Sequence, residues 1–533
     1  MLRISGLKLQ IPHGEDALLQ AITKKAKGKK TRSYRIVRRS IDARKKPTLF
    51  YIYSIDASFD NEKKILQGKG SQWTKVEEKP YHFPVTYKEN DGKTSRPVIV
   101  GAGPAGLFAT LMLARAGWKP ILLERGDCVE VRTEKVEELF AGGKLDTESN
   151  VQFGEGGAGT FSDGKLNTLV KDKFGRNHFV LQEFVKHGAP EAILYDAKPH
   201  IGTDVLKDVV ISIRQEILSL GGVVHFRTKM TDIIKNKNNV TGIVCEKEGD
   251  RFEIPCEALI LALGHSARDS FTTLYERGIH MTPKAFAIGV RVEHPAQMIN
   301  ESMYGEGYPE ELSAASYKLT HQCKNGRGIY SFCMCPGGYV VNSSSEEGRL
   351  CVNGMSYSGR DGKNSNTALI TTVTPEDFPS DHPLAGMEFQ RKYEEAAFAL
   401  KQGKIPVQLY KDFKENVPST QLGEIEPQIK GQWDFANLWD CLPDYVCESL
   451  LEGMEAFGHT IRGYDREDTI FAGVETRTSS PVRMDRDDGY QCNLEGVFPC
   501  GEGAGYAGGI TSAAMDGIKV AEAVAMYLLK ERR

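Results

Sequence analysis

The stretch that decides the fold is Pro97-Val98-Ile99-Val100-Gly101-Ala102-Gly103-Pro104-Ala105-Gly106, and an apolar run follows it at residues 107–116. A short β-branched run, a glycine turn and a helical run in this order predict the first half of a βαβ unit. Residues 120–124 predict a second strand, and Glu124 ends it 23 residues after Gly101. Together these parts form a complete dinucleotide-binding fingerprint.

Each residue of the fingerprint has a physical reason. Gly101 permits the tight turn, Gly103 lets the backbone approach a pyrophosphate, and Gly106 lets the helix pack against the strand. The helix begins near Pro104 and Ala105, and its free N–H groups can bind phosphates. Glu124 can accept hydrogen bonds from ribose hydroxyls and would repel a 2′-phosphate. We therefore expect FAD or NAD rather than NADP.

Two further strings match the glycine pattern, at residues 154–159 and 503–508. The first lacks a preceding strand, and no helix start follows it. The second lies between a strand and a helix, but only 25 residues follow it, too few for another strand with a ribose-binding acid. We therefore expect one bound nucleotide and favour FAD. The alternative, NAD in the Gly101 turn, requires the other two glycine clusters to be coincidental.

The last glycine cluster, at residues 501–509, has the position of the final FAD contact in flavoprotein folds. A strand at residues 496–500 brings the chain to the ribityl and pyrophosphate groups, where Glu502 can meet a hydroxyl. The helix predicted from about Thr511 to Leu529 would point its positive end at the pyrimidine edge of the flavin, which favours the anionic reduced form. The residues expected to contact FAD here are Gly501, Glu502, Gly508, Gly509 and Ile510.

Composition places the chain among ordinary globular proteins. Its 533 residues correspond to about three to four domains. With 40% hydrophobic and 26% charged residues it is neither disordered nor a disulfide miniprotein. Its 54 glycines are about a tenth of the chain, against a usual ~7%.

The net charge of −3 conceals an asymmetry. Residues 1–50 hold 14 Lys and Arg but three Asp and Glu, a net charge of +11, while the remainder holds 54 basic and 68 acidic residues. Such a basic head is typical of an arm that faces nucleic acid or a membrane. It is equally typical of a basic module docked on an acidic body, and the sequence leaves this open.

No membrane span and no signal peptide are expected, because no apolar run is long enough. The eleven cysteines are scattered, odd in number and without a CxxC pair, which indicates reduced thiols in a cytoplasmic protein. Cys333 and Cys335 form the closest pair, and no histidine pair at zinc spacing accompanies them. We therefore expect no metal site.

The predicted fold class is α/β, with a Rossmann-type FAD-binding domain, an inserted α+β substrate or cap domain and a small N-terminal α+β domain. Within the head, residues 16–27 predict a helix and residues 33–41 and 48–53 predict strands, whereas residues 55–96 read as a linker. The expected domains are residues 1–94, residues 95–270 joined by 471–533, and residues 271–470.

Longer strings resemble one family. They include residues 153–166, Gly289-Val290-Arg291-Val292-Glu293-His294-Pro295, residues 334–338, residues 475–481 and residues 501–517. The basic start, with residues 39–46, resembles the same family's N-terminal domain. The sequence is similar to the uncharacterised FAD-dependent dehydrogenases, also called NAD(FAD)-utilising dehydrogenases, of the glutathione-reductase-like flavoprotein superfamily.

The resemblance implies a non-covalently bound FAD with its adenosine end at residues 101–106 and at Glu124 and Arg125. Met230 would lie on the adenine side, and Ala262 and Gly264 match a second short FAD motif. The segment 160–165 would flank the flavin ring through Thr160, Ser162 and Lys165.

Candidates for the chemistry follow from the same strings. Lys165 could bind near flavin N5, or it could be a surface lysine. Arg291 and Glu293 share one face of a predicted strand, and His294 points to the other. The Arg–Glu pair could bind a carboxylate substrate or be structural, and His294 is a weaker catalytic candidate.

Four further side chains are weaker candidates. Arg360 and Arg477 are candidate anion clamps. Cys335 and Cys500 suggest thiol–flavin exchange, but an inert buried cysteine is the commoner case.

The sequence thus predicts an FAD-dependent oxidoreductase that transfers a hydride through flavin N5 to or from a small metabolite, with NAD(P)H as a candidate transient electron donor. The first alternative is a nucleic-acid-linked, RNA-modifying flavoenzyme that docks through its basic head. The second is a non-catalytic FAD-bound interaction protein. The oligomeric state is left open.

Overall fold

Strands and helices alternate along most of the chain. The computed structural model describes every residue except 15, 69–70, 78–79, 86–95 and 531–533. The strands are β1 (Leu2–Gln10), β2 (Thr31–Asp42), β3 (Phe50–Phe59), β4 (Thr74–Lys75), β5 (Val98–Val100), β6 (Ile121–Leu123), β7 (Val223–His225), β8 (Lys229–Asn236), β9 (Asn239–Lys247), β10 (Asp250–Pro255), β11 (Leu259–Leu261), β12 (Met281–Pro283), β13 (Phe286–Pro295), β14 (Thr320–Gln322), β15 (Gly328–Cys335), β16 (Tyr339–Asn342), β17 (Val352–Met355), β18 (Asn364–Val373), β19 (Ile405–Leu409), β20 (Ile429–Lys430), β21 (Trp433–Phe435), β22 (Ile470–Glu475), β23 (Val482–Met484) and β24 (Val497–Pro499). The α-helices are α1 (Asp16–Lys25), α2 (Glu62–Leu66), α3 (Pro104–Arg115), α4 (Val129–Phe140), α5 (Arg176–Lys186), α6 (Thr203–Ser219), α7 (Arg268–Glu276), α8 (Ala296–Tyr304), α9 (Ala385–Lys401), α10 (Tyr410–Lys414), α11 (Asp444–Gly458) and α12 (Ile510–Lys530). Short 3₁₀ helices lie at Ala158–Phe161, Glu191–Leu194, Pro375–Asp377 and Leu438–Cys441.

A five-stranded parallel sheet carries the Gly101 turn. Its strand order is β24-β11-β5-β6-β7. Strands β5 and β11 are buried because α3 and α12 pack on one face of the sheet, while β8, β9 and α7 pack on the other. Leu261 pairs with both Val100 and Pro499, so that β5, β11 and β24 end side by side. The three loops that follow these strands therefore meet at one edge of the sheet, where open α/β sheets bind ligands.

Helix α12 packs against α3 above this sheet. The approach is close, because a Cβ at Gly517 would lie 2.1 Å from the carbonyl oxygen of Ala105. The predicted C-terminal helix is confirmed, with a start at Ile510 and an end at Lys530. Residues 223–264 form the edge strand β7, the antiparallel meander β8-β9-β10 and strand β11, which lies between β5 and β24.

A seven-stranded, mainly antiparallel sheet forms the core of the inserted region, with the order β14-β15-β18-β13-β22-β19-β21. Strand β13 lies at its centre, and nine of its ten residues are buried. Strand β22 pairs with β13 and β19 in this sheet. The predicted boundary at residue 470 is therefore wrong at this point, since the strand that follows it belongs to the inserted region.

The N-terminal residues form a four-stranded sheet, β2-β3-β1-β4, with α1 packed on it. The predicted strand at 48–53 is too short, because β3 continues to Phe59 through Asp56. This buried aspartate binds Arg3 and Arg35, so an internal ion pair interrupts the apolar pattern. The predicted linker also contains α2 and β4, while its part at residues 86–95 lies outside the described residues.

The N-terminal domain docks on the rest of the chain. Arg39 donates to both carboxylate oxygens of Asp196 at 2.8 and 3.0 Å, and its backbone bonds with those of Tyr195 and Ala197. Ile11 and Leu49 belong to the hydrophobic core of the inserted region. The structure thus has a basic module docked on the larger body. Among the residues that the structure describes, no helix has the length and apolar character that a membrane crossing requires.

Candidate functional site

A cavity of about 790 Å³ opens where β5, β11 and β24 end. Its volume falls within the range of about 300–1,000 Å³ that is usual for small-molecule and cofactor sites. Predicted cofactor-binding residues that line it are Gly101, Gly103, Pro104, Ala105, Glu124, Arg125, Ser162, Lys165, Met230, Ala262, Gly264, Glu502, Gly508, Gly509 and Ile510. Gly106, Thr160 and Gly501 are not among its lining residues and lie directly behind them.

Two glycines of the fingerprint are required by the protein's own backbone. Gly101 has a φ of +103°, and a Cβ there would lie 2.4 Å from the carbonyl oxygen of Ala262. A Cβ at Gly106 would lie 1.8 Å from the carbonyl oxygen of Gly101. These residues join the turn, β11 and α3, and they leave no room for any side chain.

Other glycines face open space in the cavity. A Cβ at Gly264, Gly508 or Gly509 would meet no atom within 4 Å, and one at Gly103 would meet nothing closer than 3.9 Å. All four line the cavity. Backbone without side chains therefore faces the cavity from three loops, those of Gly103, Gly264 and Gly508–Gly509. This arrangement fits a cofactor that lies directly against the main chain.

Two helices begin at this cavity. Gly103 precedes α3 and Pro104 starts it, while Gly508 and Gly509 precede α12. The first N–H groups of a helix have no partner within it, and the helix dipole places positive potential at that end. Both ends therefore favour negative groups, such as the pyrophosphate and the reduced flavin of FAD.

The carboxylate of Glu124 holds three loops together. One oxygen accepts from the backbone N–H of Ala102 at 2.8 Å, and the other accepts from Gly126 at 2.9 Å and Gly154 at 3.0 Å. The sequence predicts the ribose contact of Glu124 but not these bonds. Two carboxylate oxygens offer about four acceptor positions, so one remains for a ligand hydroxyl.

Arg132, on α4, is a site residue that the sequence analysis missed. Its fully buried guanidinium donates to the carbonyl oxygens of Asn150, Val151, Glu155 and Gly157 at 2.7 to 3.0 Å. These carbonyls belong to the glycine-rich loop at residues 150–157, which lines the cavity. Burial lowers the pKa of Arg132 to about 10, which still leaves it charged at neutral pH.

Arg132 fixes a loop that also touches the Gly101 turn. The N–H of Gly156 donates to the carbonyl oxygen of Ala102 at 2.8 Å, and Gly157 has a φ of +64°. A Cβ at Gly157 would lie 3.1 Å from the Cα of Gly103. The second glycine cluster is therefore not a second nucleotide domain but the wall that faces the first.

A buried ion pair fixes the third glycine cluster, residues 501–509. Asp516 on α12 binds Arg486 at 2.7 Å and accepts from the backbone N–H of Gly501 at 2.8 Å. Beyond this loop, Glu502 lines the cavity with its carboxylate 3.4 Å from Nδ1 of His265. His265 is buried, and neither ring nitrogen makes a hydrogen bond within the described residues. These groups are free to bind a ligand.

Of the four catalytic candidates, Lys165 alone lines the cavity. Its Nζ lies 3.6 Å from Asp163, which also accepts from Arg360 at 3.2 Å. Arg360 also lines the cavity, and its role as an anion clamp stays a prediction. Arg477 lines it too, but its guanidinium is held by the buried Glu394 at 2.8 Å.

Arg291, Glu293 and His294 are not among the lining residues, because β13 is covered on both faces. The expectation that they touch substrate is therefore corrected. Arg291 pairs with Glu475, not Glu293, and binds Asn353 at 2.7 Å and the carbonyl oxygen of Cys333 at 2.8 Å. Those three partners line the cavity, so Arg291 is a positioning residue directly behind its wall.

Glu293 and His294 have structural partners. Glu293 accepts from Asn364 at 3.0 Å and from the backbone N–H of Gln428 at 2.9 Å, and burial raises its pKa to about 7. His294 Nε2 lies 2.7 Å from the carbonyl oxygen of Tyr464, and burial lowers its pKa to about 4. A neutral His294 therefore donates this bond at ordinary pH.

The cysteine candidates occupy different places. Cys335 lines the cavity and Cys500 does not. Burial raises the pKa of both thiols, which disfavours the reactive thiolate. Cys333 is not among the redox candidates that the sequence suggests. It is exposed in the cavity wall and has a φ of +43°.

One group of side chains in the described residues has metal-ligand atoms within 4.8 Å of one another: His321, Cys323 and Glu452. Glu452 is already bonded to His321 at 2.9 Å and to the backbone N–H of Lys324. This group is not part of the cavity wall. The expectation of no metal site stays a prediction.

Comparison with known proteins identifies three segments. Residues 95–287 match the pyridine nucleotide-disulphide oxidoreductase family, residues 285–478 match the FAD-dependent protein C-terminal domain, and residues 1–58 match a domain of unknown function. These matches give no support to the nucleic-acid-linked alternative.

A protein of Clostridium beijerinckii, described as uncharacterised, is 49% identical over 534 residues and is covered to 98%, as is this chain. Two solved structures are more distant. A flavoprotein/dehydrogenase from Cytophaga hutchinsonii is 12% identical, with 82% of this chain and 79% of that chain covered and a TM-score of 0.38. A glycerol-3-phosphate dehydrogenase from Bacillus halodurans, complexed with FAD, is 13% identical, with 82% and 65% covered and a TM-score of 0.38.

The 49% identity over nearly the whole length of both chains, together with the matched domains, decides the classification. FAD is the cofactor, in agreement with the backbone-lined cavity. This chain belongs to a family of FAD-dependent oxidoreductases in which a pyridine nucleotide-disulphide oxidoreductase domain is joined to an FAD-dependent protein C-terminal domain.

Proposed function

We propose that this protein holds FAD without a covalent bond in the cavity at the ends of β5, β11 and β24, and oxidises or reduces a small metabolite. When bound, FAD supplies hydride transfer at N5. The observation that carries the proposal is the convergence of three glycine loops on one space, with open room over Gly103, Gly264, Gly508 and Gly509.

Each wall of the cavity has its own task in this proposal. The N-termini of α3 and α12 stabilise the negative charge of the phosphates and of the reduced flavin. Glu124 and Glu502 accept hydrogen bonds from hydroxyls. Lys165 lies on the segment expected beside the flavin ring, where its ammonium can donate to a ring atom or hold a water.

Three finer statements belong to the same proposal. The Gly101 fingerprint and the Ala262–Gly264 motif support a place among glutathione-reductase-like flavoproteins. NADH or NADPH is the proposed transient electron donor, supported by the match of residues 95–287 to a pyridine nucleotide family. A cytoplasmic location is supported by the scattered, odd number of cysteines.

The sharpest test fills the space that we assign to FAD. In Gly264→Val the new side chain enters open space instead of protein atoms, and Gly264 does not have a positive φ. The variant should therefore fold as the wild type does but lose bound FAD, measured by visible absorbance after gel filtration and by fluorescence titration of the apoprotein.

Gly14→Val is the matched control. Gly14 also faces open space without a positive φ, and it is exposed and outside the cavity. This variant should keep full FAD occupancy. Full occupancy in Gly264→Val as well would refute the placement of the cofactor.

Oxidoreductase function is tested on the FAD-loaded protein. Anaerobic mixing with NADH or NADPH should bleach the flavin absorbance, and re-oxidation should follow an added acceptor. A flavin that no donor reduces would instead support the non-catalytic interaction protein.

A further inference from the structure

Among the described residues, eight cationic side chains line the cavity, and Arg125, Lys229 and Arg477 of these form ion pairs with carboxylates that are not part of its wall. The other five are Lys46, Lys165, Lys198, Lys318 and Arg360. We call them the cationic group. They come from five separate segments of the chain, so the fold and not a local charge run assembles them. Lys46 belongs to the N-terminal domain, which thus supplies part of the cavity wall.

In the part of the chain that the structure describes, few carboxylates line the cavity and balance this charge. Asp163 is shared by Arg360 and Lys165, and Glu475 is already ion-paired with the buried Arg291. The remaining lining carboxylates, Glu124 and Glu502, lie on the loops that we assign to FAD. The cationic group therefore has an excess of positive charge in a partly enclosed space.

Two of the lysines make no hydrogen bond to a carboxylate within the described residues, although Lys165 lies 3.6 Å from Asp163. Lys165 Nζ is buried and makes no hydrogen bond within the described residues. Lys198 Nζ binds the neutral hydroxyl and carbonyl oxygens of Ser316 at 2.9 and 3.2 Å. Burial lowers the pKa of Lys198, and the charges of Lys165 and Arg360 lower it further. An anion placed among these groups would relieve the repulsion and satisfy the free donors.

We infer that the substrate carries a carboxylate or a phosphate group, and that the cationic group binds it beside the flavin. The inference rests on the proposed function, because it names the substrate class of the same cavity. It also assigns a task to the N-terminal domain, which places Lys46 at the cavity through a bond from Nζ to the carbonyl oxygen of Ser302.

The test is anion binding to the oxidised, FAD-loaded protein at constant ionic strength. Inorganic phosphate and oxalate are titrated separately, and binding is measured by flavin difference absorbance and by isothermal titration calorimetry. Saturable binding of one anion per chain is expected. The tighter of the two anions tells whether the site takes a phosphate or a carboxylate.

Variants locate the binding. Lys198→Met and Lys46→Met should each weaken the preferred anion at least tenfold, whereas Lys198→Arg should retain most of the affinity. Lys46→Met provides a second variant on a separate domain, should Lys198→Met disturb the cofactor. Lys24→Met, an equal change of charge at an exposed position of α1 outside the cavity, should bind as the wild type does.

Two outcomes would overturn the inference. One is an FAD-loaded, reducible wild type that shows no saturable signal with either anion, which leaves the proposed function standing. The other is equal anion affinity in Lys198→Met, Lys46→Met and Lys24→Met. Failure to retain FAD, or to be reduced by any donor, would instead count against the proposed function.

Discussion

Replacing Arg132 by Met should loosen the glycine loop that faces the Gly101 turn. Methionine fills a similar apolar volume but removes the guanidinium that binds the loop. The carbonyl oxygens of Asn150, Val151, Glu155 and Gly157 then lose a donor at 2.7 to 3.0 Å. A buried acceptor without a partner destabilises the folded state, so the effect should exceed that of a surface substitution.

The size of the effect follows from the number of bonds. Each lost bond costs about 1 kcal/mol or more, which gives on the order of 4 kcal/mol for the four carbonyls. Such a loss is a large part of a typical folding free energy of about 5–15 kcal/mol. Because the same loop lines the cavity, we expect FAD affinity to fall about tenfold, or roughly 1.4 kcal/mol.

Two measurements check this expectation: the urea midpoint of the apoprotein and an FAD titration followed by flavin fluorescence. Arg115→Met is the control, because Arg115 pairs with Glu183 and Glu216 between helices and does not line the cavity. It should destabilise the protein but leave FAD affinity unchanged. Wild-type FAD affinity in Arg132→Met, or an equal loss in Arg115→Met, would refute the reasoning.

Glu124→Gln should raise the Kd for FAD about tenfold, because the amide cannot accept all three backbone N–H bonds. Unchanged retention of FAD in equilibrium dialysis would contradict this. Burial raises the pKa of Glu293 from 4.5 to about 7, so the folded state holds an extra proton between these values and loses up to about 3 kcal/mol of stability as pH rises through them. Glu293→Gln should reduce this fall, measured by urea midpoints at about pH 5 and about pH 8, and an undiminished fall would count against it. Arg291→Met leaves Glu475 buried without its partner and should cost about 3–5 kcal/mol, whereas Arg291→Lys should cost less; equal melting temperatures for the two would argue against the pairing.

The glycine turn at the end of β5 and the strand and helix beside it can be predicted from the sequence, because their signals are local. Gly101, Gly103 and Gly106 occur within six residues, between a strand and a helix. The parallel register then follows from the fold class, since a sheet of this kind brings the carboxyl ends of its strands to one edge. That rule is sufficient to bring the loops after Leu261 and Pro499 to the Gly101 turn.

The same reasoning fails where a polar residue acts over a long distance. Arg132 resembles any arginine of a charged helix, and no nearby residue in the sequence indicates its five carbonyl partners 18 to 25 residues away. On β13, Arg291 and Glu293 alternate with valines, and this pattern is typical of a strand with one solvent-exposed face. In the structure neither face of β13 is exposed to solvent, because strands and helices of the inserted region cover both faces.

The basic head shows why charge balance alone misleads. Some of its cationic side chains form ion pairs within the N-terminal domain, since Arg3 and Arg35 both bind Asp56. Arg39 joins the head to Asp196 of the body, and Lys46 extends to the cavity wall. A head bound in this way supplies part of the cavity wall, and the charge of Lys46 there has the same sign as that of Lys165 and Arg360. The asymmetry along the sequence therefore becomes, in three dimensions, a concentration of positive charge beside the proposed flavin site, where an anionic substrate would neutralise it.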